Sequence, residues 1–306
     1  MPSRPGQRPA LTPPNWPGWL AVGAIWLLGK APQRLGLAIT VPLAALMRLL
    51  MKSRRRIAER NIERCFPSWD AAARDALLKA SFRSLARAVF EMAWSWSASA
   101  RRIRHMGHVE GLEHIEAARQ SKRGILLITA HMTCMEIGAR LLAMCIPVSS
   151  IYRPLRNPVL EWYQNRSRLS YGEAVISKRE VRRVIRVLRQ GGLIWYAPDQ
   201  DFGPSQSIFA PFFGIQTATL RATHRLARQT GCAVVPMFPV YDERKRHYIV
   251  HILPALDSFP GPDAHADLAR VNAIMEAHIR SAPGQYWWIH RRFKTRPAGE
   301  PPFYSV

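Results

Sequence analysis

A histidine and a carboxylate with four residues between them follow an apolar run near the middle of the chain. The segment Gly124–Glu136, GILLITAHMTCME, contains His131 and Glu136. An imidazole that has one nitrogen held by a carboxylate can take a proton from an alcohol at the other nitrogen. The pair is therefore a candidate general base, His131, with Glu136 as its partner. Spacing alone leaves open the alternative of a histidine beside an unrelated glutamate.

The elements around this pair decide whether the two side chains can meet. Residues 124–130 are apolar, as is typical of a strand buried on both faces, and the carboxyl end of such a strand often carries catalytic residues. Residues 133–144 predict a helix with Glu136 in its first turn. Because a five-residue offset separates side chains by about 140° on a continuous helix, His131 must lie before the helix.

Two later segments follow predicted strands and offer binding residues. IYRPLRNP, residues 151–158, places Arg153 to hold a phosphate or an oxyanion, or to close a helix terminus. APDQDFG, residues 197–203, places Asp199 to pair with an arginine such as Arg153 and so to shape a substrate pocket. No further carboxylate or histidine lies at ligand spacing, so neither a metal nor another cofactor is expected.

Three other segments each leave two interpretations open. FAPFFG, residues 209–214, could line an acyl-chain tunnel or pack in the core. KREVRRVIRVLR, residues 178–189, predicts a basic amphipathic helix, either solvated or used to dock an acidic protein or an anionic lipid surface. QYWWIHRRFKTRP, residues 285–297, suits single-stranded nucleic acid or lipid. The apolar N-terminus favours lipid, and no nucleic acid partner is predicted.

The charge of the chain favours an anionic partner over a merely solvated face. The 306 residues include 44 Lys and Arg against 21 Asp and Glu, a formal net charge of +23. Such an excess indicates a nucleic acid, an anionic membrane surface, a phosphorylated substrate or an acidic protein. The four cysteines show no metal-binding spacing and indicate reduced thiols in a cytosolic compartment.

The N-terminal region predicts association with a membrane. Residues 1–14 are basic and Pro-rich and are expected to be disordered, and residues 15–64 are expected to form a membrane anchor with a polybasic segment. Two apolar runs, 16–28 and 35–47, the second broken by Pro42, are each shorter than the ~20 residues of a membrane-spanning helix. Their tryptophans suit the lipid interface. A buried helical hairpin in a soluble protein is the alternative.

The remaining residues, 65–306, predict one α/β domain. A long helix is expected over 69–96, opened by Ser68, and short apolar strands then alternate with helices. This alternation favours a central, mostly parallel sheet flanked by helices. The expected strands are 124–130, 148–152, 193–197, 233–238 and 248–253, and the expected helices are 133–144, 158–169, 179–189, 217–229 and 264–281.

Taken in order, these motifs resemble a known family. His131-x4-Glu136, YRPLRNP, WYAPDQDFGP, FFG, VVPM and QYWWIHRRFKTRP are similar to those of the bacterial lipid A late acyltransferases, of the lauroyl acyltransferase type. The resemblance covers nearly the whole chain and is most specific in WYAPDQDFGP and IHRRFKTRP. The wider group is the glycerolipid and lysophospholipid acyltransferases, whose usual acidic residue is often aspartate rather than glutamate. Some members have histidine at the position of Gln200.

The resemblance implies a function and a location. It implies transfer of an acyl chain from an acyl carrier protein thioester to the hydroxyl of a hydroxyacyl chain on the Kdo-bearing lipid A precursor, in lipopolysaccharide biosynthesis. The enzyme would sit at the inner membrane with its active site facing the cytoplasm. His131 and Glu136 would be catalytic, and Arg153 and Asp199 would bind substrate. The precursor, the carrier and the membrane surface are all anionic and match the net charge. Acylation of another lipid or glycolipid, or a non-catalytic basic membrane-binding protein, are the alternatives.

Overall fold

Helices and strands alternate through most of the chain after four N-terminal helices. The computed structural model describes residues 8–121 and 123–304. The predicted disorder of residues 1–14 falls partly outside this range, and a short 3-10 helix already forms at Pro13–Asn15. The α-helices are α1 (Trp16–Lys30), α2 (Gln33–Leu50), α3 (Lys52–Cys65), α4 (Ala71–Ser97), α5 (Ala100–Arg104), α6 (Leu112–Gln120), α7 (Met135–Ala143), α8 (Pro158–Leu169), α9 (Val181–Arg189), α10 (Ala222–Thr230) and α11 (Ala264–Ser281).

A seven-stranded sheet forms the centre of the molecule. The strands are β1 (Gly107–Glu110), β2 (Ile125–Ile128), β3 (Ser149–Tyr152), β4 (Ala174–Ser177), β5 (Leu193–Tyr196), β6 (Ser207–Phe212), β7 (Ile215–Leu220), β8 (Ala233–Asp242) and β9 (His247–Ile252). The sheet order is β1-β9-β8-β2-β5-β3-β4, and β6 and β7 form a separate antiparallel hairpin. Within the sheet only β8 and β9 pair antiparallel. The predicted α/β class with a mostly parallel sheet is confirmed.

The apolar central strands are buried on both faces of the sheet. Every residue of β2 and of β5 is buried. The two strands lie side by side although β3 and β4 come between them in the chain. Parallel strands that are buried in this way direct their carboxyl ends to one edge, which is where ligands bind in open α/β sheets.

Some predicted elements differ from the structure. Residues 217–220 were expected in a helix but belong to β7, because the β-branched run there pairs with β6. The long helix α4 begins at Ala71 and is capped by Asp70, whose carboxylate accepts from the Ala73 N–H at 2.7 Å, and not by Ser68. Helix α2 continues through Pro42. Strands β1 and β4 and the β6–β7 hairpin were not predicted.

The N-terminal helices expose an apolar surface. Helices α1 and α2 pack on α4, yet large apolar side chains point outward from both, including Leu20 at 75% exposure and Leu50 at 69%. By length and composition, α2 is long and apolar enough to cross a membrane, and it is the one such helix in the described residues. Helix α3 packs on α4, and its buried Asn61 reaches the C-terminal segment.

Candidate active site

The register between β2 and β5 brings His131 and Asp199 together. Ile128 lies opposite Tyr196 at the ends of these neighbouring parallel strands. His131 and Asp199 each follow three residues later, so the two chains leave the sheet at the same edge and at the same height. The sequence separates the two residues by 68 positions, and only the order of the strands makes them neighbours.

Two hydrogen bonds join these residues. The His131 ring contacts Asp199 through Nδ1 at 2.5 Å from Oδ1, and the His131 backbone N–H donates to Oδ2 at 2.9 Å. The Asp199 side chain is 1% exposed, whereas that of His131 is 23% exposed. The carboxylate is thus enclosed by protein, while the imidazole reaches the surface of a cavity.

Electrostatics keep Asp199 ionised. Burial by itself favours the protonated carboxyl, but the charge and hydrogen bonds of His131, with the charge of Arg292, outweigh it and lower the pKa of Asp199 to about 2. An ionised carboxylate accepts a hydrogen bond, so the ring of His131 carries its proton on Nδ1. Nε2 is then the nitrogen available to accept a proton from a substrate.

A C-terminal segment fixes the backbone of the His131 loop. The Trp287 N–H donates to the His131 carbonyl at 3.0 Å, and the Thr133 N–H donates to the Gln285 carbonyl at 2.7 Å. The Gln285 side chain is itself bonded to the backbone N–H and carbonyl of Tyr241 in β8, each at 2.8 Å. The motif QYWW therefore acts as a strap across the catalytic loop.

Glu136 has partners other than the predicted one. It lies in the first turn of α7 and His131 lies before that helix, as expected. Its carboxylate, however, forms an ion pair with Arg168 of α8 and accepts from the Trp96 indole N–H at 2.9 Å. The predicted contact between Glu136 and His131 is replaced by that between Asp199 and His131, because the start of α7 directs Glu136 toward α4 and α8.

A cavity of about 590 Å³ opens beside His131. Arg153 lines it, so the structure brings Arg153 and His131 to one site. Asp199, predicted to pair with an arginine such as Arg153, pairs with His131 instead. The basic residues of the lining are Arg153, Lys178, Arg179, Arg221 and Arg225, and the larger apolar ones are Met135, Ile151, Val181, Val184, Trp195, Phe202, Leu220 and Leu226. No acidic residue from the described ranges lines this cavity.

The lining can accommodate an amphiphile with an anionic end. A volume of several hundred Å³ with mostly apolar walls is typical of a pocket for a small organic ligand. The five cationic side chains add an attraction for phosphate or carboxylate groups. Arg221 and Arg225 were missed in the sequence because they lie directly before and within α10, far along the chain from His131, and carry no motif of their own.

The aromatic segments serve packing. Phe212 and Phe213 of FAPFFG are buried, and the Phe213 ring lies 5.9 Å from that of Trp288. No residue of FAPFFG is among the described residues that line the cavity, so the core interpretation holds. Within QYWWIHRRFKTRP, Arg292 is 2% exposed and donates to the Ala218 carbonyl at 2.6 Å.

Cys134 is next to the site but is not a nucleophile. Its thiol is buried and lies 3.3 Å from the Pro239 carbonyl. Burial raises the pKa of this thiol further above its ordinary value, so the reactive thiolate is suppressed. The residue packs in the loop.

Known proteins of one family are similar to this chain over nearly its whole length. The family model for the bacterial lipid A biosynthesis acyltransferases matches residues 4–295. The lipid A biosynthesis palmitoleoyltransferase of Escherichia coli is 37% identical over 300 residues, 97% of each chain. The lauroyltransferase of that organism is 37% identical over 295 residues, 96% of each chain. Its myristoyltransferase is 31% identical over 290 residues, 94% of this chain and 90% of the relative.

One solved structure was also compared. The 1-acyl-sn-glycerophosphate acyltransferase of Thermotoga maritima aligns with a TM-score of 0.40 and 11% identity, covering 83% of this chain and 99% of that one. The family model matches nearly the whole chain, and the relatives are of similar length. The chain therefore belongs to the bacterial lipid A biosynthesis acyltransferases.

Proposed function

We propose that this acyltransferase moves a fatty acyl chain from an acyl carrier protein thioester to the hydroxyl of a hydroxyacyl chain on the Kdo-bearing lipid A precursor. The observation that carries the proposal is the His131–Asp199 pair at a cavity that combines apolar walls with five cationic side chains. The names of the relatives support lipid A as the acceptor and lauroyl, myristoyl or palmitoleoyl chains as the group transferred.

In the proposed mechanism His131 is the general base. Nε2 takes the proton of the acceptor hydroxyl as its oxygen attacks the thioester carbonyl, and the new C–O bond forms while the C–S bond breaks. The sulfur leaves as a thiol after receiving the proton from the imidazolium. Asp199, ionised and bonded to Nδ1, orients the ring and stabilises the imidazolium.

Glu136 is proposed as a positioning residue in this mechanism. Its contacts with Trp96 of α4 and Arg168 of α8 tie both helices to the start of α7, directly after the His131 loop. Loss of these contacts would loosen the loop without removing the partner of the imidazole. Arg153, at the end of β3 and on the cavity wall, is proposed to bind an anionic group of the acceptor.

The apolar surface of α1 and α2 supports a location at a membrane, proposed here as the cytoplasmic face of the bacterial inner membrane. Outward-facing leucines and tryptophans on an N-terminal helix pair suit insertion into lipid. The acceptor is itself a lipid, so such a location brings the two together.

The test is an assay with purified protein, acyl carrier protein thioesters and tetra-acylated, Kdo-bearing precursor, followed by product mass. Wild type should add one acyl chain, and His131→Ala should lower kcat by about 10²- to 10⁴-fold while the thermal midpoint is unchanged. No mass gain with any chain length would refute the proposed substrates, and gain only with another lipid acceptor would reassign the reaction. Equal kcat in His131→Ala would refute the mechanism.

A further inference from the structure

We propose that the outer face of α9 is the docking surface for the acidic carrier protein that delivers the acyl chain. This face, called the arginine face, consists of Arg182, Arg183, Arg186 and Arg189. The proposal rests on the proposed function, because it assigns a surface to the donor of that reaction.

Helix geometry separates the charged and apolar sides of α9. At about 100° per residue, Arg182 and Arg186 lie on the side of the helix opposite Val184 and Leu188. Val184 and Leu188 are 3% and 1% exposed, and α9 packs against β5 and α10. The arginines therefore face outward, Val184 and Leu188 pack in the fold, and Val181, which is 53% exposed, lies at the cavity.

The arginine face carries charge that the protein does not neutralise. Helix α9 contains no acidic residue, and among the described residues only Arg183 of the four is in an ion pair, with Glu180 at 3.5 Å. Exposed like charges placed three and four residues apart on a helix repel one another and reduce its stability. Such a cluster is favourable when an anionic partner binds it.

The arginine face is continuous with the mouth of the cavity. Val181 and Val184 of the same helix line the cavity, as do Lys178 and Arg179 directly before it. A carrier held on α9 would present its thioester arm at this mouth, and His131 stands on the cavity wall. The docking surface thus adjoins the opening of the cavity in which the acyl chain would reach His131.

Charge and apolar exposure assign the two anionic partners to different surfaces. A helix that lies in a membrane interface presents large apolar side chains beside its basic ones, and those exposed on this molecule cluster on α1 and α2. The arginine face consists of cations, and the exposed apolar side chain of α9, Val181, lies at the cavity instead. Association of folded proteins with acidic surfaces relies on charge complementarity of this kind.

The test is the double variant Arg182→Glu, Arg186→Glu. We expect KM for the acyl carrier thioester to rise about 10-fold or more, since reversed charge at a rim slows association. The kcat with an acyl-pantetheine thioester, which lacks the carrier protein, should not change. Binding of fluorescently labelled carrier, followed by anisotropy, should weaken by the same factor and show less dependence on salt than in wild type.

The matched control is Arg101→Glu, Arg104→Glu on α5, which changes the net charge equally but packs beside β1, the edge strand four positions from β5, away from α9. It should leave KM and carrier binding as in wild type. Unchanged carrier binding in the α9 variant would overturn the docking proposal. If this variant still binds the carrier but no longer binds phosphatidylglycerol vesicles, the arginine face is a membrane surface instead. Wild-type protein that binds carrier but transfers no chain would refute the proposed function and leave the docking surface in place.

Discussion

Two carboxylates near the catalytic loop have opposite settings. Asp199 is enclosed and holds an imidazole that faces a cavity, whereas Glu136 is paired with a guanidinium and an indole between helices. Glu136 is five residues from His131 in the chain and Asp199 is 68 residues away. The residue nearer in sequence supports the framework, and the distant one is bonded to the imidazole that we propose as the base.

The comparison shows that a parallel sheet can make neighbours of residues that are far apart in the chain. A helix that starts directly after a strand turns its first side chains toward its own packing partners, here α4 and α8. The neighbour across the sheet edge, by contrast, leaves its strand at the same height and in the same direction. Partners of a residue at such an edge are therefore expected on adjacent strands rather than along the chain.

The largest effect that separates the two carboxylates is expected from Asp199→Asn. The amide removes the negative charge that stabilises the imidazolium and no longer fixes the proton on Nδ1. We expect kcat to fall by about 10²- to 10⁴-fold with little change in KM. Steady-state kinetics with carrier thioester and precursor would measure this. A loss of less than 10-fold would give Asp199 a merely structural role.

Glu136→Gln is expected to act on stability more than on rate. It leaves Arg168, whose side chain is 16% exposed, without its ionic partner, at an expected loss of about 1–3 kcal/mol in the free energy of unfolding. The kcat should fall less than 10-fold. Denaturant unfolding and the same kinetic assay provide both numbers.

The control for Glu136 is Arg168→Met alone and combined with Glu136→Gln. Because the two side chains form one pair, the double variant should be less destabilised than the sum of the singles. Additive losses would mean that the pair contributes little. A kcat loss for Glu136→Gln as large as that for Asp199→Asn would remove the distinction drawn between the two carboxylates.

The last expected effect is on stability in acid, within a narrow pH window. The pKa of Asp199 is about 2 in the folded chain against an ordinary 3.8, so its ionised form stabilises the fold above pH 4, and this contribution is lost as pH falls from about 4 to 2. The stability difference between wild type and Asp199→Asn should therefore shrink by about 2 kcal/mol across that window. Urea unfolding at pH 2 to 6 measures the difference. A stability difference between the two proteins that does not change with pH would contradict the lowered pKa of Asp199.

Much of the fold was accessible from the sequence. The all-apolar runs of β2 and β5 and the amphipathic patterns of α8, α9 and α11 have periodicities that tertiary contacts do not override. Strands β1 and β4 were missed because they are only partly buried and neither is apolar throughout, unlike β2 and β5 of the same length. Residues 217–220 lack a distinct pattern, and only pairing with β6 makes them a strand.

The residues of the candidate site could be predicted from the sequence, but the contacts between them could not. His131, Asp199 and Arg153 each follow an apolar strand, which marked them as members of one sheet edge. Their pairing depends on β5 lying between β2 and β3, an order that no local pattern encodes. The straps formed by Gln285 and Trp287 depend on backbone hydrogen bonds, which any residue type can make.

The most direct test of the central claim, that Asp199 rather than Glu136 holds the imidazole, is the proton NMR signal of His131 Nδ1–H in protein labelled with ¹⁵N-histidine. A short hydrogen bond to a buried carboxylate moves such a proton downfield and protects it from exchange with water. We predict a protected downfield signal that is absent in His131→Ala, lost in Asp199→Asn and retained in Glu136→Gln. A signal retained in Asp199→Asn and lost in Glu136→Gln would contradict the account.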